Sequence, residues 1–141
     1  TNIQVIEPNV IRRATLDKID GFTAVEPGTI TEADFVIDGV GYAATRADAT
    51  AMTRPGGVIM HIGLGEGTGG LDIRHMTLQE ITFIGTYTYT AQDFRDTAAA
   101  IFDGRLGALD WTEERPLSEG QQAFADIRAG VVAAPKIILR P

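Results

Sequence analysis

No cysteine occurs among the 141 residues, which excludes a disulfide framework and any thiolate zinc site built from this chain. A reducing, cytoplasmic setting fits that absence. Histidine is nearly as scarce: His61 and His75 are the only two, too unaccompanied to hold a catalytic metal, so no metal ligand and no catalytic residue is assigned. Basic residues number 12 against 19 acidic ones and are scattered; the net charge of -7 argues against the clustered cations of a nucleic-acid binder. No apolar run approaches the ~18 residues of a membrane span, and no basic-then-apolar leader opens the chain. Neither nucleic acid nor membrane is expected as a partner. Internal repeats and low-complexity tracts are absent as well.

What is present is an ordinary composition, 44% hydrophobic and 22% charged, with chain enough for one modest core. The opening is abrupt, dropping from Thr1 straight into a strand, and reads as a piece of something longer. Strands are expected at Ile3 to Ile6, Phe22 to Val25, Asp34 to Asp38, Val58 to Ile62 and Ile81 to Tyr87. Between them, apolar periodicity predicts helices over Val10 to Ile19, over Ala44 to Met52 with a stop at Pro55, and around Met76 to Gln79. This β-α-β-α-β rhythm implies right-handed parallel crossovers. From Thr90 the character changes. Thr90 with Asp93 resembles a capping box, Phe94, Ala98, Ile101 and Phe102 share a helix side, and Gly104 ends that helix. A strand at Trp111 to Arg115, a helix capped by Ser118 with Gln121 and facing Phe124 and Ile127 inward, and a last strand at Lys136 to Leu139 complete the expectation.

In open α/β folds the site lies past the carboxyl ends of the strands. Four short loops lie there: Glu7-Pro8-Asn9, Gly39-Val40-Gly41, Ile62-Gly63-Leu64 and Gly85-Thr86-Tyr87. Glu7 is the most informative single residue. A carboxylate at a strand end can accept both hydroxyls of an adenosine ribose, and it repels a ribose phosphate, which favours NAD over NADP. Arg12, one turn on, is placed to stack over adenine or to pair with Glu7. Gly65 to Gly70 (GEGTGG) matches G-x-G-x-x-G literally. Yet no long helix follows and Glu66 would face the phosphates, so a mobile loop is the preferred reading. His61 reads as a hydrogen-bonded core residue. Glu113 and Glu114, adjacent on a strand, point to opposite faces and form no acid/base pair.

Taken in order, VIEPNVIRRA, DFVIDGVG, RPGGVIMHIGLG, QEITFIGTYTYT and GVVAAPKIILRP resemble the nucleotide-binding and carboxyl-terminal part of the medium-chain, zinc-type alcohol and polyol (sorbitol-like) dehydrogenases. The resemblance covers essentially the whole chain. It implies a partial doubly wound Rossmann sheet at residues 1–88, lacking its first strand. Residues 89–141 would then be carboxyl-terminal helices and strands returning to the catalytic domain. It also implies cofactor contacts: Glu7 at the ribose and Arg12 on the adenine side; Ile62, Gly63 and Leu64 toward the nicotinamide; Thr86, Tyr87 and Thr88 at its carboxamide; Lys136 at the pyrophosphate; with Asn9, Gly39, Val40 and Gly41 also among the cofactor-binding residues. The implied reaction is hydride transfer between an alcohol or sugar alcohol and NAD, zinc-assisted, with every zinc ligand outside this chain, so that these residues alone would be inactive.

The departures from that pattern are the missing first strand, glycine fingerprint and amino-terminal domain, and Thr88 where sorbitol-type members carry arginine. Two other readings stay open: a zinc-independent, quinone-type reductase of the same superfamily, and an S-adenosylmethionine or nucleotide-binding module of another class. The strand Ile81 to Tyr87, with no lysine or proline to blunt its edge, predicts a homodimer or homotetramer paired through the sheet edge.

Overall fold

A computed structural model describes residues 2–109 and 111–141, so the opening at Thr1 lies outside the described residues. In chain order the elements are β1 (Gln4–Ile6), α1 (Val10–Leu16), β2 (Thr23–Val25), β3 (Ala33–Asp38), α2 (Ala43–Met52), β4 (Thr53–His61), α3 (Ile73–Leu78) and β5 (Thr82–Gly85). There follow α4 (Ala91–Phe102), β6 (Thr112–Pro116), α5 (Gly120–Ala129) and β7 (Lys136–Arg140). Among the described residues all four strand pairings are parallel, in the separate ladders β1-β2, β3-β4-β5 and β6-β7. The chain forms two compact units: Gly28–Tyr89, and Thr1–Pro27 together with Thr90–Pro141. Among the described residues no helix is long and apolar enough to cross a membrane.

In the Gly28–Tyr89 unit the buried apolar side chains are Ala49 and Met52 of α2, Ile59 of β4 and Met76 of α3. The helical face expected from spacing, Ala44, Ala47, Ala51 and Met52, is not the one that packs: Ala44, Ala47 and Ala51 are exposed, and α2 buries Arg46, Ala49, Thr50 and Met52. On the other side of β3, Phe35 and Ile37 are 49% and 59% exposed, so this strand is covered on one face only. Strand β4 starts five residues before the expected Val58. Thr53 pairs with Ala33 and Val58 with Phe35, so residues 54–57 bulge out between the two pairs. Pro55 has no N–H for a ladder and Gly56 takes φ 71°, which together account for the bulge.

In the other unit, Asn9 caps α1 by accepting from the N–H groups of Ile11 and Arg12. That helix ends at Leu16, short of the expected Ile19, because Lys18 and Ile19 bond three residues back and tighten the last turn. Helix α4 opens with the expected reciprocal Thr90 and Asp93 box and closes at Gly104, φ 71°. None of its residues is buried, and Phe102 is 88% exposed. Helix α5 departs from expectation. Leu117–Glu119 form a tight 3-10 turn, no side chain caps the helix, and Ala123 is buried while Phe124 is 67% exposed. Glu113 and Glu114 do diverge: Glu113 pairs with Arg115 and Glu114 with Arg140.

Candidate functional site

Register places the strand-end loops of the Gly28–Tyr89 unit level with one another. Asp38 of β3 pairs with His61 of β4, and His61 with Gly85 of β5, so the chain leaves all three strands at the same height. The loops that follow, 39–41, 62–64 and 86–88, are among those expected to bind the cofactor, the last two at its nicotinamide end. They form a ledge bearing exposed apolar side chains, Val40, Ile62, Leu64 and Tyr87. Two of them interlock. The N–H groups of Ile62 and Gly63 donate to the Asp38 carbonyl, Gly65 donates to Val40 and Glu66 to Gly41. A Cβ on Gly63 would stand 2.2 Å from the Val40 carbonyl carbon, and one on Gly41 2.3 Å from that of Gly63, so backbone contact demands glycine at both. Gly39 is different. Its φ is ordinary and a Cβ there would meet nothing within 4 Å, so neither strain nor protein packing accounts for the missing side chain.

Beneath the ledge lies a polar centre that sequence patterns did not single out. Asp38 is 5% exposed and its carboxylate accepts from the N–H groups of Val40 (3.0 Å) and Gly41 (2.9 Å), the Thr45 hydroxyl (3.1 Å) and His61 Nδ1 (3.1 Å). Burial raises the affinity of this carboxyl for a proton. The N–H groups of Gly41 and Val40, with Thr45 and His61, outweigh it and hold the pKa below the ordinary aspartate value. His61, expected as a bonded core residue, is bonded, and its ring also lies 5.5 Å from that of Phe83.

The glycine-rich segment 65–70, expected as a mobile loop, is hydrogen-bonded to α2. Arg46 of α2, 6% exposed, donates Nε to the Gly69 carbonyl (2.6 Å), Nη1 to those of Gly41 (2.7 Å) and Glu66 (3.0 Å), and Nη2 to that of Thr68. The Glu66 carboxylate accepts from the Ala43 N–H at the start of α2 (2.9 Å). The helix after the segment, α3, has six residues, so the segment does not open a long helix as a pyrophosphate fingerprint does. Its glycines serve contact instead: a Cβ on Gly70 would lie 2.1 Å from the Ala43 carbonyl oxygen and one on Gly65 2.6 Å from the Tyr42 ring. A cleft of about 360 Å³ is lined by Arg46, His61, Glu66, Thr68, Leu71 and Ile73.

In the unit containing residues 1–27, Glu7 stands half-buried one residue past β1. One carboxylate oxygen accepts from the Asn9 N–H (2.8 Å); among the described residues the other has no hydrogen bond. The Asn9 side chain is taken up by the helix cap and by donation to the Gly130 carbonyl (2.8 Å). Arg12 pairs with the Val132 carbonyl through Nε (3.4 Å), not with Glu7. Its neighbour Arg13 was not expected to matter, yet it ties the Glu7 and Pro8 carbonyls to the Glu26 carboxylate. Lys136 opens β7, exposed, with no hydrogen bond or ion pair to the Glu7 group among the described residues. A cleft of about 500 Å³ in this unit is lined by Glu114, Arg115, Leu117, Ser118 and Arg140, whose charges pair with protein partners. Among the described residues no three His, Asp or Glu side chains gather to hold a metal, so the residues present do not fit a zinc ion.

The profile of the family described as "Zinc-binding dehydrogenase" matches residues 19–103, more than half of the chain. The probable D-xylulose reductase A of Neosartorya fischeri is 28% identical over 99 residues, which are 70% of this chain and 28% of that protein. Among solved structures, L-idonate 5-dehydrogenase from Escherichia coli superposes with TM-score 0.80 at 16% identity, covering 99% of this chain and 42% of that one. Acetophenone reductase from Geotrichum candidum, in complex with NAD, gives 0.83 at 17% identity, with 99% and 41% covered. The fold is thus the α/β fold of these dehydrogenases, and the chain spans 28% of the length of the curated relative.

Proposed function

Since this chain belongs to the zinc-binding dehydrogenase family, we propose that the protein is an oxidoreductase moving a hydride between a small alcohol or polyol and NAD. The observation that carries this reading is the level ledge at the carboxyl ends of β3, β4 and β5, where Gly39 leaves open space that packing does not explain. When bound, the dinucleotide supplies the hydride acceptor or donor at its nicotinamide ring. The residues of this chain bind and orient. The Gly39, Val40 and Gly41 loop and Ile62, Gly63 and Leu64 give the ring an apolar floor that keeps water away, and Thr86, Tyr87 and Thr88 flank its carboxamide. In the other unit, the unbonded oxygen of Glu7 accepts from the adenosine ribose while Arg13 holds the turn beneath it. Arg12, tied at Nε, keeps its terminal amines for the adenine side. Asn9 shapes the turn, and Lys136 serves the pyrophosphate.

The metal ligands implied by the family fall outside these residues, and no step is assigned to a metal here. Residues 1–88 act as the nucleotide-binding part and 89–141 as part of a catalytic domain. A second copy pairs along β5, whose four residues are all exposed, and the setting is cytoplasmic. Gly39→Val tests the reading in the full-length protein. Filling the open space should lower NADH affinity by ~100-fold, about 2.7 kcal/mol, with the melting temperature unchanged. Unchanged affinity in the folded variant would place the cofactor elsewhere.

A further inference from the structure

Among the described residues Arg46 is a buried cation with no ion-pair partner. Its guanidinium has five N–H groups, and four of them are spent on the backbone carbonyls of Gly41, Glu66, Thr68 and Gly69. A buried charge is ordinarily met by a carboxylate, because desolvation is expensive and a formal charge offsets it best. Here four carbonyl dipoles do so, and they come from two segments: the ledge loop after β3 and the glycine-rich loop after β4. Helix propensity does not explain the arrangement, since Arg46 lies in the middle of α2, a helix that already carries five alanines at 43, 44, 47, 49 and 51. What the guanidinium adds is a fixed spacing between Gly41 and residues 66–69.

That spacing reaches the ledge through the backbone. Gly41 touches Gly63, and the N–H groups of Gly65 and Glu66 close onto the carbonyls of Val40 and Gly41. Leu64, 76% exposed, is carried between these two anchored points. We propose that Arg46 is a positioning residue: by clamping the Gly65 to Gly70 loop onto the Gly41 turn it holds Gly63 and Leu64 in place, and so sets the affinity for the nicotinamide half of the dinucleotide. The loop's resemblance to a phosphate fingerprint then has a different origin. Its glycines allow the backbone to fold around an arginine and against the first turn of α2. This inference rests on the cofactor reading above for its second half and on geometry alone for its first.

The test compares wild type, Arg46→Met and Arg46→Lys in the full-length protein. Lysine keeps the charge but has three donors for four carbonyls, and it supplies a folded comparison where methionine destabilises the chain. Hydrogen exchange reads the clamp, and calorimetry with NADH and with ADP-ribose, which lacks the nicotinamide, reads its consequence. In Arg46→Met the amides of Gly65 and Glu66 should exchange ~10-fold faster or more. NADH affinity should fall by at least ~10-fold while ADP-ribose affinity stays within ~2-fold, with Arg46→Lys in between. Unchanged exchange at those two amides would overturn the clamp. Equal losses for NADH and ADP-ribose would overturn the positioning role and leave a general structural one. Failure of the wild type to bind NADH would overturn the cofactor reading and the affinity claim with it, while the exchange rates still decide the clamp.

Discussion

Gly63→Ala is the smallest substitution that tests the interlocked ledge. The position has an ordinary φ, so alanine brings no backbone strain; the whole effect is steric. The added methyl would lie 2.2 Å from the Val40 carbonyl carbon and 2.3 Å from the Gly41 nitrogen, both backbone atoms that no rotamer change can move aside. The two loops must separate. Overpacking of this kind costs ~1–3 kcal/mol. Separation also endangers the bonds from Gly65 to Val40 (3.1 Å) and from Glu66 to Gly41 (2.9 Å), each contributing roughly 1 kcal/mol. A loss of about 3 kcal/mol or more is expected, a large share of the ~5–15 kcal/mol of an ordinary domain. Urea unfolding gives the stability and NADH titration the consequence at the ledge. Gly67→Ala is the control, since a Cβ there meets nothing within 4 Å, and should change stability by no more than ~0.5 kcal/mol. If Gly63→Ala were as stable as that control and bound NADH unchanged, the close approach of the two loops would be wrong.

Asp38→Asn should destabilise the protein by about 2 kcal/mol near neutral pH, from loss of charge-assisted bonds to Val40, Gly41, Thr45 and His61. Because the folded pKa of Asp38 lies below its unfolded value, this contribution is present above about pH 4 and fades as pH falls through the folded pKa, so unfolding curves of wild type and variant should converge in acid. Glu80→Gly should stabilise by up to about 1 kcal/mol in thermal unfolding, since Glu80 is the one described non-glycine residue with positive φ, 54°, at the end of α3. Ile84→Lys on exposed β5 should shift the full-length protein toward monomer in light scattering; an unaltered oligomer would remove β5 from the interface.

Much of this arrangement was legible in the residues. Strands β3 and β4 announced themselves by apolar runs ending in glycine, and the parallel order followed from helix-length connections. Gly104 marked a helix end correctly because the left-handed position after a helix favours glycine; Glu80, in the same geometry at the end of α3, gave no such signal. Phe124 misled by hydrophobicity, because α5 turns its small Ala123 inward and leaves the ring exposed. The 65–70 loop misled differently. Glycine content alone suggests mobility, and only the three-dimensional position of Arg46, 20 residues earlier than Glu66, shows what holds it. Asp38 and His61 sit 23 residues apart and meet through strand register, a pairing that the separate apolar patterns of β3 and β4 do not encode. Arg13 was overshadowed by Arg12 because only the latter matched the family spacing.

The most direct test of the account is the affinity of the full-length protein for NADH and NADPH under identical ionic strength. A carboxylate at Glu7 within ~4 Å of a 2'-phosphate opposes NADPH by on the order of 1 to 4 kcal/mol, so NADH should bind about one to three decades more tightly, and Glu7→Ser should narrow that gap. Saturable binding of neither dinucleotide would contradict the central claim, and equal affinity for both, unchanged in Glu7→Ser, would contradict the place given to Glu7.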